Sequence, residues 1–293
     1  KKIREAKKYT HQVLGPQLDL FHFDAQGLCY WSPRGLKLKN LICEKGKQLL
    51  QSRGYSFIET PENGAETKKQ AHAAYLQLTK MPRAALAEQF VVASSASSHQ
   101  WLGLWRSSHY LKDEARFYCT PLNAKESLIS SLQFIKKMSS ILGLRCRWKL
   151  CCRRDKFSGR QKHRDRTIAS IREVLTQVEC DYTEDALEPC EFGPSLQGDY
   201  VDRFGRKWEG PKITVDFQLP VHLGLCYTDH EGRKTAPVLL RISTLGPLER
   251  LIALLVEKDD GMLPFRLAPE QVRVIAVDDA QIPYANSVLQ KVI

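Results

Sequence analysis

The 293-residue sequence predicts an α+β fold. Residues 1–262 read as an antiparallel sheet flanked by helices, and 263–293 as the start of a separate α/β unit. Three observations carry this. Ala236–Val256, APVLLRISTLGPLERLIALLV, reads as a buried strand, then a Leu245-Gly246-Pro247 break, then a helix apolar on a broad face. Leu36, Leu38, Leu41, Ile42, Leu49 and Leu50 keep helical spacing up to Gly54, a helix stop, and a strand follows to Pro61. YVDRFGRKW and KITVDFQLP, within Tyr200–Pro220, read as two antiparallel strands joined through Glu209-Gly210-Pro211.

Lys1–Tyr9 reads as the end of a charged helix. Gly15-Pro16 marks a turn, Leu18–Phe23 alternates as a strand, Tyr30-Trp31 starts another, and Ser32–Gly35 is a turn. After the 36–53 helix and the 55–61 strand comes polar ENGAETKKQ, then a helix over Ala71–Lys80. Leu128–Leu142 is an amphipathic helix, and Thr167–Val178 is another. Val221–Lys234 is a hairpin turning at Asp229–Gly232. Met262–Pro269 links to a strand over Glu270–Asp279 and a helix from Ile282 to Val292. A single strand and helix cannot bury a core alone, so this end belongs to a longer protein or packs as a remnant.

Composition is that of a globular chain, 43% hydrophobic, with no apolar run long enough to cross a bilayer. The start, KKIREAKKY, lacks the apolar centre of a signal peptide, and the missing initiator Met points to a fragment. Nine cysteines without regular spacing indicate a reducing compartment, the cytoplasm or an organellar matrix. A net charge of +11 favours a polyanionic partner, nucleic acid first, over a basic surface that serves solubility or an acidic protein.

The charge is densest in RCRWKLCCRRDKFSGRQKHRDR, Arg145–Arg166. Arg145, Arg147, Lys149, Arg153, Arg154, Lys156, Arg160, Lys162 and Arg164 are the candidate RNA contacts, with Trp148 and Phe157 interleaved for stacking. The alternation in RCRWKL gives one strand a basic face. Charge runs are also commonly solvated surface, a reading near parity that the net charge tips toward RNA. Adjacent Cys151-Cys152 is poor metal geometry.

HQVLGPQLDLFHF, YWSPRGLKLKNLI and SRGYSFIETP, in this order and spacing, resemble the start of the threonyl-tRNA synthetase catalytic core, and the strand–Gly–x–x–Glu–Arg–helix unit resembles motif 3 of class II aminoacyl-tRNA synthetases. The resemblance implies the class II synthetase fold and extends over nearly the whole chain. FRLAPEQVRVIAV resembles the opening of the family's anticodon-binding domain. Pro61 matches the closing Pro of motif 1, which implies a homodimer. Gly246, Glu249, Arg250 and Arg106 match retained nucleotide-site positions. Where motif 2 should carry an Arg for the ATP α-phosphate and a nearby Glu, this chain has Ser94 and Ala96, so a cation that should stabilise charge during adenylation is missing. The segment carrying the family's first zinc ligand, a Cys, is mostly absent. Arg116 and Arg241 stand where the two zinc histidines are implied, and a guanidinium has no lone pair to offer a metal. Ser195 replaces a Lys, Glu209-Gly210 replace Gln-Cys, and Thr214 replaces a Gln facing the nucleotide.

The function expected is that of a degenerate threonyl-tRNA-synthetase-like protein. Zinc binding and aminoacylation are lost, and it acts by binding tRNA, another RNA or a protein partner. No catalytic residue, metal ligand or cofactor is nominated, and zinc is not expected. Two alternatives stay open. One is an enzyme, a divergent threonine–tRNA ligase or another adenylating enzyme using ATP and Mg through Arg106 and Arg250. The other is a structural subunit of an RNA-containing assembly such as an organellar ribosome.

Overall fold

The computed structural model describes residues 9–58, 84–94, 103–107, 109–152, 161–185 and 193–292. Pro61, the Ala71–Lys80 helix, Ala96, and Arg153, Arg154, Lys156 and Arg160 lie outside the described residues.

The elements in order are α1 (His11–Gln17), β1 (Phe21–Phe23), β2 (Cys29–Trp31), α2 (Pro33–Gln51), β3 (Ser56–Ile58), β4 (Ala84–Ser94), β5 (His109–Cys119), α3 (Ala124–Ile141), β6 (Cys146–Cys151), α4 (Gln161–Gln177), β7 (Tyr182–Asp185), β8 (Ser195–Val201), β9 (Lys207–Asp216), α5 (Leu219–His222), β10 (Tyr227–Thr228), β11 (Lys234–Thr235), β12 (Val238–Ser243), α6 (Leu248–Lys258) and α7 (Ile282–Val292). Eight strands make one sheet in the order β3-β4-β5-β12-β9-β8-β6-β7. It is antiparallel except at its two ends, where β3 pairs with β4 and β6 with β7 in parallel.

One sheet face is apolar. Leu240, Ile242, Ala115, Ile213, Leu196, Trp148 and Leu150 fall on it by register and are buried. Helix α3 packs on β9 and β12 over this face, with α4 against α3. Leu132, Ile135 and Met138 of α3 and Ile171, Val174 and Leu175 of α4 enter the same core. Helix α6 is buried along its length from Leu248 to Glu257.

Several local expectations are corrected. Gly15-Pro16 does not turn the chain but lies inside α1. Its glycine is needed because a Cβ there would strike the Phe21 ring. Ser32-Pro33 starts α2 rather than forming a separate turn: the Ser32 hydroxyl accepts from Gly35 N at 3.1 Å, and Pro33 occupies the first turn. The β8–β9 hairpin turns at Asp202–Arg206, where Asp202 Oδ1 accepts from Phe204 N and Arg206 N at 2.9 Å each and Gly205 has φ +79°. Glu209-Gly210-Pro211, expected as that turn, are inside β9. Helix α4 begins at Gln161, so the end of the basic run forms its first turns.

The expected strand over Glu270–Asp279 does not form. Val272, Ile275 and Val277 are 52%, 76% and 87% exposed, and no neighbouring strand pairs with the segment among the described residues. An extended run with no sheet edge beside it has no ladder to join. Helix α7 follows as expected. The tail is tied back through buried Leu267 and an Arg34 Nη1–Glu270 Oε2 ion pair of 3.0 Å.

Candidate functional site

The strand-to-helix junction after β12 is built from buried polar contacts. Asp113, in the middle of β5, holds the turn: its Oδ1 accepts from Leu245 N at 3.1 Å and from Ser243 Oγ at 3.2 Å, and its Oδ2 accepts from Thr244 N. Gly246 then takes φ +72°, and a Cβ there would sit 2.7 Å from the Gly210 carbonyl oxygen. Glycine is required on both counts, since the backbone is left-handed and β9 passes against it. Pro247 is the N-cap of α6, one position earlier than the first-helical-residue reading.

Glu249 and Arg250 leave this junction in different directions. Glu249 is 5% exposed. Its Oε1 pairs with Lys39 Nζ of α2 at 2.9 Å, and its Oε2 accepts from Leu111 N of β5 at 2.8 Å, so it joins three elements. Arg250 donates through Nη1 to Glu209 O at 2.9 Å and through Nε to Trp105 O at 3.3 Å. Burial pushes its pKa down, with Glu209 and Tyr110 opposing and Arg106 adding to the fall. Arg106 is exposed and close enough to Arg250 to be felt electrostatically. Arg106 and Arg250 thus form one cationic neighbourhood, and two of Arg250's five N–H groups are committed to backbone carbonyls.

Beside Arg250, Trp105 and Trp208 stack with ring centroids 4.2 Å apart and an interplanar angle of 10°. Arg206 lies over both rings, at 5.5 and 5.3 Å. Burial raises the Asp202 carboxyl, but hydrogen bonds from Trp208, Arg206 and the backbone outweigh it and the net pKa is lowered.

The second sheet face is polar in one row. Arg116 of β5 and Arg241 of β12 are directly opposite, and Thr214 of β9 and Ser195 of β8 continue the row to Cys151 of β6. These two arginines are at the positions where the resemblance implies zinc histidines. Glu114 Oε1 lies 3.0 Å from Arg116 Nη2 and 3.8 Å from Arg241 Nη2. Among the described residues, no group of three His, Cys, Asp or Glu side chains is arranged to hold a metal ion.

The basic stretch separates by position. Arg147 and Lys149 share the polar sheet face, opposite Asp199 and Gln197, and Arg145 and Arg147 are exposed. Lys149 is drawn to Asp199 Oδ2 at 3.1 Å. Arg164 is 1% exposed, with Nη1 3.0 Å from Asp165 Oδ1 and Nη2 donating to Cys152 O. It leaves the set of RNA-facing residues, because its guanidinium is spent inside the fold. Lys162 is on α4. Ser94 ends β4, opposite His109.

The family model for the tRNA synthetase class II core domain (G, H, P, S and T) matches residues 94–259. The chain belongs to this family. Threonine–tRNA ligase from Solidesulfovibrio magneticus is 26% identical over 99% of this chain and 50% of its own length. The Herminiimonas arsenicoxydans threonine–tRNA ligase is 27% identical over 98% of this chain and 51% of its own length. The chain therefore spans about half the length of these curated relatives. Among solved structures, the RNA binding domain of threonyl-tRNA synthetase from Cryptosporidium parvum matches with TM-score 0.88 and 23% identity over 97% of this chain and 80% of that one. Prolyl-tRNA synthetase from the same organism matches with TM-score 0.68 and 10% identity over 98% of this chain and 64% of that one. This is a threonyl-tRNA synthetase-like class II core.

Sequence reasoning missed two supports of this synthetase-like core. Asp113 is one, and an acid between Lys112 and Glu114 gave no signal of burial. The other is His11, whose Nδ1 donates to Glu257 Oε1 at 2.7 Å while its Nε2 accepts from Leu104 N at 3.0 Å. That pair fixes α1, α6 and the backbone leading to Arg106 to one another. The neighbouring Gly103, at φ +58°, has no room for a Cβ against the imidazole. A lone His in a stretch read as turn-prone carried no warning.

Proposed function

We propose that this threonyl-tRNA synthetase-like core has lost zinc binding and aminoacylation and acts by binding RNA, with tRNA the first choice, as a homodimer. The observation that carries the reading is the Arg116–Glu114–Arg241 cluster. Two arginines, one of them buried, occupy positions at which the resemblance implies metal ligands, and guanidiniums do not fit zinc. Ser94 in place of a phosphate-binding Arg adds to this. Arg250, with two of its five N–H groups on the Trp105 and Glu209 carbonyls, offers less to a nucleotide than a free guanidinium would. The net charge of +11 and the exposed Arg145 and Arg147 support RNA over an acidic protein.

The test is a pair of titrations. Calorimetry with ATP, Mg and threonine is expected to give no heat at millimolar nucleotide. Clear heat that Arg250→Ala abolishes would overturn the lost-activity reading. Anisotropy with a labelled tRNA is expected to show affinity falling steeply with salt. An Arg145→Gln/Arg147→Gln double variant should flatten the logarithmic slope by about 1.5–2. No RNA affinity at low salt would sink the RNA reading and leave the protein partner.

A further inference from the structure

The polar row contains a charged group whose hydrogen bonding is incomplete. Arg116 is 4% exposed, and among the described residues its buried Nε and Nη1 have no hydrogen-bond partner. A guanidinium cannot shed its proton to escape burial. It also faces Arg241 directly across an antiparallel pair, where like charges repel. Glu114 Oε1 accepts from Arg116 Nη2 at 3.0 Å. Nη2 carries two hydrogens, one on each edge of the planar fork. Whichever Glu114 takes, the other shares an edge with Nε or Nη1, and both of those are unpaired. One edge with two parallel N–H groups is therefore unpaired.

The surroundings suit a small ligand. Arg241 and Glu114 have side chains 30% and 31% exposed, so they lie between buried Arg116 and solvent. Thr214 and Ser195 put hydroxyls in the same row. In the next row Tyr118 and Asp216 flank Leu239. Burial pushes the Tyr118 phenol up to about 12, so it stays a neutral O–H. Asp216 Oδ1 is engaged by Gln218 N and Leu219 N at 3.0 and 2.9 Å.

We propose that Arg116 and Arg241 form a binding site for a small monocarboxylate, its two coplanar oxygens on the unpaired edge of Arg116 and its charge shared with Arg241. A two-hydrogen edge matches carboxylate geometry. A monoanion also loses less hydration on entering a buried site than a doubly charged phosphate. The site is independent of RNA binding and does not require the adenylation chemistry.

The experiment follows thermal unfolding and calorimetric affinity with sodium propionate, sodium phosphate and sodium chloride at matched ionic strength. Propionate is expected to raise the midpoint above chloride and phosphate. Arg241→Gln, nearer solvent, should weaken propionate at least about tenfold. Arg116→Met should abolish the propionate effect while its midpoint without ligand matches or exceeds that of the parent, because a buried guanidinium with two unsatisfied nitrogens has been removed and Glu114 keeps Arg241 beside it. Propionate indistinguishable from chloride, or an unchanged propionate effect in Arg241→Gln, would overturn the site. A larger response to phosphate would overturn the carboxylate assignment. Should Arg116→Met fail to fold, Arg241→Gln alone decides the matter.

Discussion

The two faces of the large sheet place different demands on the residues that fill them. On one, Leu240, Ile242, Ala115, Ile213, Leu196 and Leu150 are each at most 2% exposed and pack under α3. On the other, the row Arg116, Arg241, Thr214, Ser195 is polar, charged and partly open. The first face requires only apolar residues of the right volume, which keeps a class II core recognisable at 26–27% identity. The second face answers to particular chemical groups, and a single side-chain exchange there changes what the row can bind while leaving the strand intact. A change of chemistry on one face and retention of the fold are compatible because the pleat sends alternate residues to opposite sides.

The contrast breaks if the faces respond alike to substitution. Leu240→Ala on the apolar face should destabilise by ~2–5 kcal/mol in urea unfolding, from lost burial and the cavity left behind. Thr214→Val on the polar face should stay within about 0.5 kcal/mol. Equal effects would show that both faces are structural. Between the faces stands the junction: Gly246→Ala, forced into a left-handed conformation against the Gly210 backbone, should cost ~1–3 kcal/mol. If the alanine is neutral, β9 and the junction are less tightly apposed than described.

The smallest expected effect lies outside the sheet. The Arg273 and Arg34 guanidiniums hold the Glu270 carboxyl down at about 2, against an ordinary 4.5. A depressed carboxylate stabilises the fold above its unfolded pKa, so the tail's attachment should be complete above about pH 4.5 and weaken as pH falls toward 2. A carboxyl chemical-shift titration should find the midpoint near 2. A midpoint near 4.5 would mean that the tail is not clamped to α2.

How much was legible in the sequence follows the same division. The helices at 36–53 and 128–142, the β12–Gly246–α6 unit and the Asp229–Gly232 hairpin were readable because periodicity and turn chemistry are local. Three misreadings share one cause, which is that Gly and Pro were taken as punctuation. Gly15 serves close packing against Phe21, Pro33 starts a helix, and Gly210 makes room for the Tyr200 ring. The two glycines answer to rings on other elements, whereas the Pro33 start was a local signal, set by the Ser32 cap, that was passed over. The strand expected at 270–279 had the right alternation but no partner, and pairing is not a local property. At the site, residue types could say that Arg116 and Arg241 are unfit for zinc. They could not say that Glu249 would tie Lys39 to β5, or that Arg164 would turn inward among neighbours equally basic.

The stacked Trp105 and Trp208 rings have a consequence for optical spectroscopy. Two indoles 4.2 Å apart do not absorb or emit as independent chromophores, and Arg206 above them offers a nearby quenching charge. Because Trp105 belongs to the backbone that carries Arg106 and Trp208 to the strand that receives Arg250, their coupling reports whether those two pieces are docked. The protein carries a built-in proximity gauge for the corner around Arg106 and Arg250, readable by circular dichroism and fluorescence without a label.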